Sequence, residues 1–219
     1  MVSDPGQPAR RLPVIGLLGA PGSGKSTIAR MFANSGCAVI DADQLSRDAF
    51  EDHAIQATLV EWWGEGVVRE GKVDRSQIGE IVFADPEQRA RLEGLVHPYV
   101  NRRRAELREA IERDAAGGAV AIVEDCPLLL EVGLDGGCDR LVFVDCPLAI
   151  RRQRVLESRG WSADELAARE AAQWPLDTKR ARADYTVSNV GDKKAIQAQV
   201  DSVLTDIRQS FTPTRANRC

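Results

Sequence analysis

A glycine-rich segment near the beginning of the sequence has the residue types and spacing best suited to chemistry. It reads Gly19-Ala20-Pro21-Gly22-Ser23-Gly24-Lys25-Ser26 and is followed by Thr27. All fixed positions of the pattern G-x-x-x-x-G-K-[ST] are filled, and this pattern is typical of loops that bind phosphate. Its glycines allow close approach of the backbone, its lysine faces the β- and γ-phosphates, and its hydroxyl is a natural Mg²⁺ ligand. The alternative is a tight turn that binds nothing.

The segments on either side of this loop favour the phosphate-binding interpretation. Val14–Leu18 is an apolar run short enough for a buried strand, and Ile28, Met31 and Phe32 then recur at helical spacing. A strand, a glycine-rich turn and a helix in this order bring backbone N–H groups and a helix N-terminus to one anion. We therefore predict a nucleotide site formed by Gly22, Ser23, Gly24, Lys25, Ser26 and Thr27, with Ser26 as the Mg²⁺ ligand.

Length and composition predict one globular α/β domain with small insertions, or one and a half domains. The chain has 219 residues, of which 43% are apolar and 28% are charged, and a formal net charge of −4. The negative charge disfavours a protein that coats nucleic acid, and we expect neither a secretory signal nor a membrane span. Five cysteines without a C-x-x-C pair indicate neither a disulfide framework nor a zinc site, which fits a reducing cytoplasm. Residues 1–11 and 211–219 are expected to be loose tails.

Short apolar runs predict a parallel sheet of five strands, with helices in the connections. The predicted strands are 14–18, 37–40, 119–125, 141–144 and 183–187. The predicted helices of this part of the chain are 25–35, a helix after Pro147, 165–173 and 193–210.

Acidic residues follow three of these strands at the edge where open α/β sheets bind ligands, and Asp145 is the acid after the fourth strand. Asp41 and Asp43 follow the second strand, and either could instead cap the next helix. Asp125 ends the third strand and could hold Mg²⁺ through water or contact a substrate. Capping of the following turn is the alternative for Asp125.

The stretch from 49 to 116 has a helical pattern without a convincing strand, and Asp85-Pro86 marks a boundary within it. It is too long for an ordinary crossover, so we interpret it as an inserted substrate-binding subdomain. The basic run Arg102-Arg103-Arg104 in this segment is typical of a solvated helix face.

The helix after Pro147 carries four arginines: Arg151, Arg152, Arg154 and Arg159. Such residues could belong to a lid, at about 151–180, that closes over a triphosphate. A solvated helix face explains most of them. The guanine-reading motif Asn-Lys-x-Asp of GTPases is absent from the sequence. The pattern as a whole favours a small P-loop kinase, similar to nucleoside-monophosphate kinases, with an unknown acceptor.

Further motifs follow the phosphate loop in a fixed order. They are Val39-Ile40-Asp41-Ala42-Asp43, Gly71-Lys72-Val73-Asp74-Arg75, Val82-Phe83-Ala84-Asp85-Pro86, His97-Pro98, Asp125-Cys126-Pro127-Leu128-Leu129 with Glu131, Arg154, Gln173, and Ala183-Asp184 leading to Asn189 and Gly191. Together with the phosphate loop, this series resembles the dephospho-coenzyme A kinase family from about Val14 to Ile207. The loop alone indicates only a superfamily, whereas the whole series is specific.

The resemblance implies a fold and a reaction. The fold would be a three-layer α/β P-loop NTPase domain at 12–210 with a parallel five-stranded sheet, a helical CoA-binding insertion at about 49–116 and the lid. ATP would donate its γ-phosphoryl group to the ribose 3′-hydroxyl of dephospho-CoA, giving coenzyme A in the last step of its biosynthesis. ATP and Mg²⁺ would be required, and we expect a cytoplasmic monomer or weak homo-oligomer with no nucleic-acid or membrane partner.

The resemblance also implies roles for individual residues. Asp43 would accept the proton of the 3′-hydroxyl or orient that group, which requires only hydrogen-bond reach. Lys25 and Arg154 would neutralise the phosphates in the transition state. Asn189 and Gly191 would lie in the turn beside the adenine of ATP.

His97 and Asp125 are the remaining candidates for substrate contacts. His97 is one of two histidines in the chain, and a histidine before a proline is more often a packed structural residue than a catalyst. We keep it as a possible substrate contact in the helical insertion, because binding pockets contain few polar groups and these are specifically placed to orient the ligand.

The phosphate loop and the lid depart from the family pattern. Leu18 replaces a usual threonine, and Ala20-Pro21 replaces a usual Gly-Ile pair, which stiffens the loop because proline fixes its own φ. Ser158 and Arg159 stand where an Arg-Asp pair is common, so lid contacts beyond Arg154 stay open.

Two rival functions remain at this stage. One is a small-molecule P-loop kinase with another acceptor, such as a nucleoside or a sugar acid. The other is a module that binds ATP without catalysis. The joint presence of Lys25, Ser26, Asp43 and Arg154 argues against the second, because binding alone requires neither the acid nor the lid arginine.

Overall fold

The computed structural model describes residues 11–114 and 118–212, so most of the two predicted tails lies outside the described residues. The strands are β1 (Val14–Leu18), β2 (Ala38–Asp41), β3 (Val68–Arg69), β4 (Lys72–Val73), β5 (Ile122–Asp125), β6 (Arg140–Asp145) and β7 (Tyr185–Ser188). The helices are α1 (Lys25–Asn34), α2 (Ala42–Ala49), α3 (His53–Trp63), α4 (Arg75–Ala84), α5 (Pro86–Arg113), α6 (Leu148–Arg159), α7 (Ala163–Ala171), α8 (Leu176–Arg182) and α9 (Lys193–Ser210). The chain divides into two compact units: the segment Asp41–Arg108, called the inserted unit, and the remainder, called the sheet unit.

The sheet unit contains a five-stranded sheet in the order β2-β5-β1-β6-β7. The central strand β1 pairs in parallel with β5, where Ile15 lies opposite Val123, and with β6, where Leu17 lies opposite Val142. Strand β7 continues the sheet in parallel beyond β6. The prediction of a parallel five-stranded sheet is confirmed. Because the strands run in one direction, the segments that follow β1, β5, β6 and β7 emerge at the same edge.

Both faces of β1 are covered, which explains why all five of its residues are buried. Ile15 and Leu17 belong to a core cluster with Phe32 of α1 and Val200 of α9. On the opposite face lies Gly16, where an added Cβ would come within 3 Å of two leucine side chains and a cysteine sulfur. Burial on both faces is the property that makes β1 an uninterrupted apolar run in the sequence.

Arg11 anchors the start of the described chain to the sheet unit. Its guanidinium forms an ion pair with Asp139 at 2.7 Å, and the other carboxylate oxygen of Asp139 accepts from the backbone of Val14 at 2.9 Å. The same guanidinium lies 5.5 Å from the ring centroid of Phe211. These contacts hold in place the segment that leads into β1.

Four aspartates of the inserted unit cap its helices. Asp41, Asp52 and Asp74 accept hydrogen bonds from the first turns of α2, α3 and α4, and Asp85 accepts from Glu87 N at 2.8 Å at the start of α5. Side-chain acceptors at these positions satisfy N–H groups that have no partner within the helix. In this chain three of the family motifs therefore include helix caps, namely Asp41, Asp74 and Asp85.

The inserted unit also corrects the prediction that 49–116 lacks strands. Strands β3 and β4 form a two-residue antiparallel hairpin, with Val68 opposite Val73. The hairpin is held at its turn by Gln56, whose amide donates to Gly71 O at 3.0 Å and to Phe50 O at 2.8 Å. Two residues per strand are too few to show an alternating pattern, so the sequence gives no signal for it.

Two further elements differ from the sequence expectations. Helix α8 was not predicted, since its seven residues give too little periodicity to detect. The basic run in α5 is not a uniformly solvated face, because Arg104 is only 5% exposed. A residue three or four positions from a core residue lies on the same face of the helix. A charged side chain can therefore be buried there, provided that its head group finds partners.

Candidate functional site

The glycine-rich segment folds as a compact loop between β1 and α1. Gly22 and Gly24 have φ values of +77° and +86°, a region that favours glycine. The Ser23 N–H donates to Ala20 O at 3.1 Å and closes the turn. The ammonium of Lys25 donates to Gly19 O at 3.1 Å and to Ala20 O at 3.4 Å, and the residue is only 9% exposed. A positive charge is thereby held against the loop itself.

The N-terminus of α1 opens next to this loop. Gly24 O accepts from the N–H groups of Thr27 and Ile28 at 2.9 and 3.1 Å, so the helix begins without a side-chain cap. Its first turn has no acidic residue, and Ser26 is exposed. Helix N-termini carry partial positive charge, which suits a phosphate.

Asn189 links the segment after β7 to the phosphate loop. Its side-chain amide donates to Ser23 O at 2.7 Å, its backbone N–H donates to Asp145 O at 2.9 Å, and the residue is 4% exposed. A Cβ at Gly24 would collide with this amide nitrogen. Gly191 follows in an exposed turn at φ +97°. The predicted adenine-side residue Asn189 is therefore part of the wall of the phosphate loop.

Arg154 of α6 joins the same cluster. Its guanidinium donates to Asn189 O at 3.0 Å and to Ser23 O at 3.4 Å. It also contacts the sulfur of Cys146 at 3.4 Å. Burial raises the pKa of the Cys146 thiol, and this outweighs the opposite effect of the Arg154 and Arg151 charges. The thiol stays protonated at neutral pH, so it does not neutralise Arg154 and the arginine charge is available to an anion.

Two acids lie at the same edge of the sheet as the loop. Asp125 ends β5 and is 5% exposed. Asp145 ends β6, and its carboxylate pairs with Arg180 of α8 at 2.7 Å. A carboxylate at this edge can orient a bound cation or a substrate hydroxyl, and Asp125 remains a candidate for such a contact.

The other predicted site residues, Asp43 and His97, belong to the inserted unit. Asp43 lies exposed in the first turn of α2. The cap of this helix is Asp41, whose carboxylate accepts from Gln44 N at 2.9 Å. His97 lies exposed within α5, directly before Pro98. The roles of Asp43 and His97 stay predictions.

Sequence reasoning missed Lys179, which connects two of the family motif residues. Its ammonium lies 2.7 Å from Glu131 Oε1 and 2.9 Å from Gln173 Oε1, and its side chain is only 2% exposed. Glu131 Oε1 also accepts from Trp174 N at 2.8 Å. The buried cation thus ties the segment after β5 to the connection between α7 and α8. A lysine on a short helix with several other charged residues gives no sequence signal for burial.

We expect Glu131→Gln to destabilise the protein by about 3 kcal/mol at neutral pH, because the buried ammonium of Lys179 would lose its counter-charge. Burial raises the pKa of Glu131, but the hydrogen bonds from Lys179 and Trp174 outweigh it, so the pKa lies below its ordinary value of 4.5. A carboxyl whose pKa is lowered on folding stabilises above its ordinary pKa and loses this effect as pH falls through the folded value.

Urea unfolding of both proteins measures this difference. The gap between wild type and Glu131→Gln should narrow as pH is lowered from about 5 to about 3. Glu157→Gln is the matched control, since Glu157 is exposed on α6. Its carboxylate accepts a hydrogen bond from the side chain of Gln153, which is also at the surface. Its effect should stay within about 0.5 kcal/mol. Equal stability of the two variants at neutral pH would contradict the prediction.

A cavity of about 290 Å³ lies beside the phosphate loop. Pro21 of the loop forms one part of its wall, and residues of α7, α8 and their connection form the rest: Glu170, Ala171, Gln173, Trp174, Pro175 and Leu176. The loop therefore borders an open space on the side of α7.

The described residues fit a nucleotide-bound Mg²⁺ better than a protein-held metal. Residues 11–114 and 118–212 contain no group of three or more His, Cys, Asp or Glu placed to hold a metal ion. Mg²⁺ in phosphoryl transfer takes one or two protein ligands and completes its shell with phosphates and water. The exposed hydroxyl of Ser26 at the N-terminus of α1 suits such a site. Over the same residues, no helix has the length and apolarity needed to cross a membrane.

Comparison with known proteins supplies the family. The family model for dephospho-CoA kinase matches residues 13–195. A dephospho-CoA kinase from Anaeromyxobacter dehalogenans is 42% identical over 197 residues, covering 89% of this chain and 92% of that protein. A dephospho-CoA kinase from Deinococcus radiodurans is 38% identical over 206 residues, covering 94% and 95%.

Solved structures agree with this comparison. The crystal structure of TT1252 from Thermus thermophilus has a TM-score of 0.74 and 35% identity, covering 90% of this chain and 99% of that one. Dephospho-CoA kinase from Campylobacter jejuni, at 20% identity and a TM-score of 0.63, shares the fold. The sheet, the phosphate loop and the extent of these matches together show that the chain belongs to the dephospho-CoA kinase family.

Proposed function

We propose that this protein transfers the γ-phosphoryl group of ATP to the 3′-hydroxyl of dephospho-CoA, giving ADP, coenzyme A and a proton. The observation that carries the proposal is the cluster in which Lys25, Asn189 and Arg154 converge on the phosphate loop. Phosphoryl transfer depends on positioning and on charge stabilisation, and this cluster supplies both in a chain of the dephospho-CoA kinase family.

The donor side of the reaction would be served by the sheet unit. Backbone N–H groups from Gly22 to Thr27 would surround the β- and γ-phosphates at the N-terminus of α1. Lys25 and Arg154 would stabilise the charge that spreads over the transferred group. Asn189 and Gly191 would border the adenine.

The acceptor side would be served by Asp43, with His97 and Asp125 as further substrate contacts. Asp43 would accept the proton that leaves the 3′-hydroxyl, or hold that hydroxyl for attack on the γ-phosphorus. Two observations support this role: Asp43 is the second acid of the Asp-Ala-Asp motif, and it is exposed in the first turn of α2.

Mg²⁺ would be held by the Ser26 hydroxyl together with phosphate oxygens and water. When bound, the ion would neutralise the negative charge that develops on the phosphates during transfer. The fit rests on the exposed hydroxyl beside the phosphate loop and on the absence of competing acidic residues in the first turn of α1.

The segment 151–180, which contains α7, would act as a lid that excludes water when both substrates are bound. The capping box of Ser162 and Glu165 makes α7 a well-defined helix that could move as one body. We further propose that the enzyme acts in the cytoplasm as a monomer or weak homo-oligomer, without nucleic acid or membrane.

The function is tested by incubating the protein with ATP and Mg²⁺ and measuring ADP and coenzyme A together. We expect ADP to appear in step with coenzyme A when dephospho-CoA is present, and little ADP in its absence. Adenosine and shikimate, as a nucleoside and a sugar-acid-like acceptor, are the matched controls. ADP production with either control but not with dephospho-CoA would move the assignment to another small-molecule kinase.

A further inference from the structure

Arg151 is a buried charge that the proposed reaction does not use. It lies in the first turn of α6 and is only 4% exposed, although it sits among arginines that the sequence suggests are solvated. Its Nε donates to Cys146 O at 3.0 Å. Its Nη1 donates to Pro21 O at 3.4 Å and also pairs with the carboxylate of Glu170. One guanidinium thus contacts the residue that follows β6, the phosphate loop and α7.

The phosphate loop rests directly on α6 at this point. A Cβ at Gly22 would lie 2.7 Å from a methyl group of Val155 and 3.1 Å from Arg151 O. One turn further along α6, Arg154 binds the carbonyl of Ser23. Two arginines of one helix therefore hold two carbonyls of the loop, those of Pro21 and Ser23.

Peptide geometry converts these carbonyl contacts into an orientation of N–H groups. In a planar trans peptide the C=O of one residue and the N–H of the next point in opposite directions, and the described chain has no cis peptide bond. Holding Pro21 O toward α6 directs the Gly22 N–H away from α6. Holding Ser23 O in the same way directs the Gly24 N–H away. These two N–H groups belong to the set that is expected to bind phosphate.

Resting on the proposed ATP-dependent function, we propose that Arg151 is a positioning residue that fixes the Pro21–Gly22 peptide for phosphate binding and links it to α7 through Glu170. The planar fork of an arginine is suited to this task, because Nε and Nη1 reach acceptors on separate elements at once. Glu170 borders the cavity beside the loop, so a ligand or lid movement there acts on the partner of Arg151. The position of α7 then influences how the loop presents its N–H groups.

The first test compares Arg151→Met with Arg152→Met, its exposed neighbour on α6. Calorimetric titration with ADP should show about 10-fold weaker binding for Arg151→Met and no change for Arg152→Met. The reason is that misplacing a hydrogen-bond donor of the loop steeply lowers the affinity of the protein for ADP. In steady-state assays the KM for ATP should rise about 10-fold, whereas the KM for dephospho-CoA should stay within about 2-fold. Equal ADP affinity of the two folded variants would overturn the proposal.

The second test uses Arg151→Lys and Glu170→Ala, which separate geometry from charge. Arg151→Lys keeps the charge but loses the fork, so its ADP affinity should fall near that of Arg151→Met. Glu170→Ala should weaken ADP binding by about 3-fold alone and add nothing to Arg151→Met, because Glu170 acts through Arg151. Wild-type affinity in Arg151→Lys, or additive effects in the double variant, would overturn the proposal.

These measurements remain decisive in two other situations. If Arg151→Met fails to fold, as judged by circular dichroism, Arg151→Lys and Glu170→Ala carry the test. If the wild-type protein makes no coenzyme A, the proposed function fails, but ADP affinity still judges the role of Arg151 because its measurement needs no acceptor.

Discussion

Replacing Lys25 with methionine is expected to lower kcat/KM for ATP by about 10³-fold while the protein stays folded. The ammonium is held against the loop by Gly19 O and Ala20 O, so its charge lies where the β- and γ-phosphates are expected to bind. Methionine keeps the length and apolar stem of a residue that is 9% exposed, but removes the charge. Measurement of ADP release over a range of ATP concentrations gives the change.

Lys194→Met is the matched control for this prediction. Lys194 is exposed near the N-terminus of α9, so its replacement removes one lysine charge from the chain without touching the phosphate loop. We expect turnover close to wild type. Thermal unfolding followed by circular dichroism separates a loss of catalysis from a loss of structure. A Lys25→Met enzyme within about 10-fold of wild type would remove Lys25 from the catalytic role.

Asp43→Asn is expected to lower kcat by about 10² to 10⁴-fold, the range typical for the loss of a general base. Asparagine has nearly the same shape as aspartate, and Asp43 is exposed, so we expect the variant to stay folded. Removal of a negative charge from the first turn of α2 should cost about 0.5 kcal/mol through the helix dipole. Affinity for ADP should be unchanged, because the proposed role of Asp43 concerns the acceptor.

Asp41→Asn provides a control two residues away. Asp41 caps α2, and asparagine caps a helix about as well as aspartate, so this variant changes the same charge without loss of the cap. We expect turnover near wild type. If Asp41→Asn loses activity and Asp43→Asn does not, the base would have to be reassigned to the first acid of the motif.

The phosphate loop and its two flanking elements could be predicted because their signals are local. A complete G-x-x-x-x-G-K-[ST] pattern between an apolar run and a helical repeat leaves few other conformations, and α1 begins at Lys25 as expected. The boundary at Asp85-Pro86 was predicted for the same reason, since Asp85 accepts from the first turn of α5. Asn189 and Arg154 entered through the family resemblance, and the structure brings both to Ser23 O.

The burial of Arg151 and Lys179 could not be predicted because it depends on contacts between distant segments. Arg151 and Arg152 are adjacent arginines in the sequence, yet one is buried and the other is exposed. What distinguishes them is the direction that each side chain takes from α6, and this is fixed by Pro21 and Glu170. Lys179 likewise depends on Glu131, far earlier in the chain. Charge patterns in sequence describe the average surface helix and miss such exceptions.

The amide of Asn189 occupies the space in which a side chain at position 24 would have to lie. The same amide supplies a hydrogen bond to Ser23 O, so a smaller residue at 189 would make room only by abandoning that bond. The positive φ of Gly24 adds a separate strain for any other residue. A side chain at position 24 would therefore require a change at position 189 as well, whereas a smaller residue at position 189 would leave Gly24 in place. The constraint between the two positions runs in one direction, from 24 to 189.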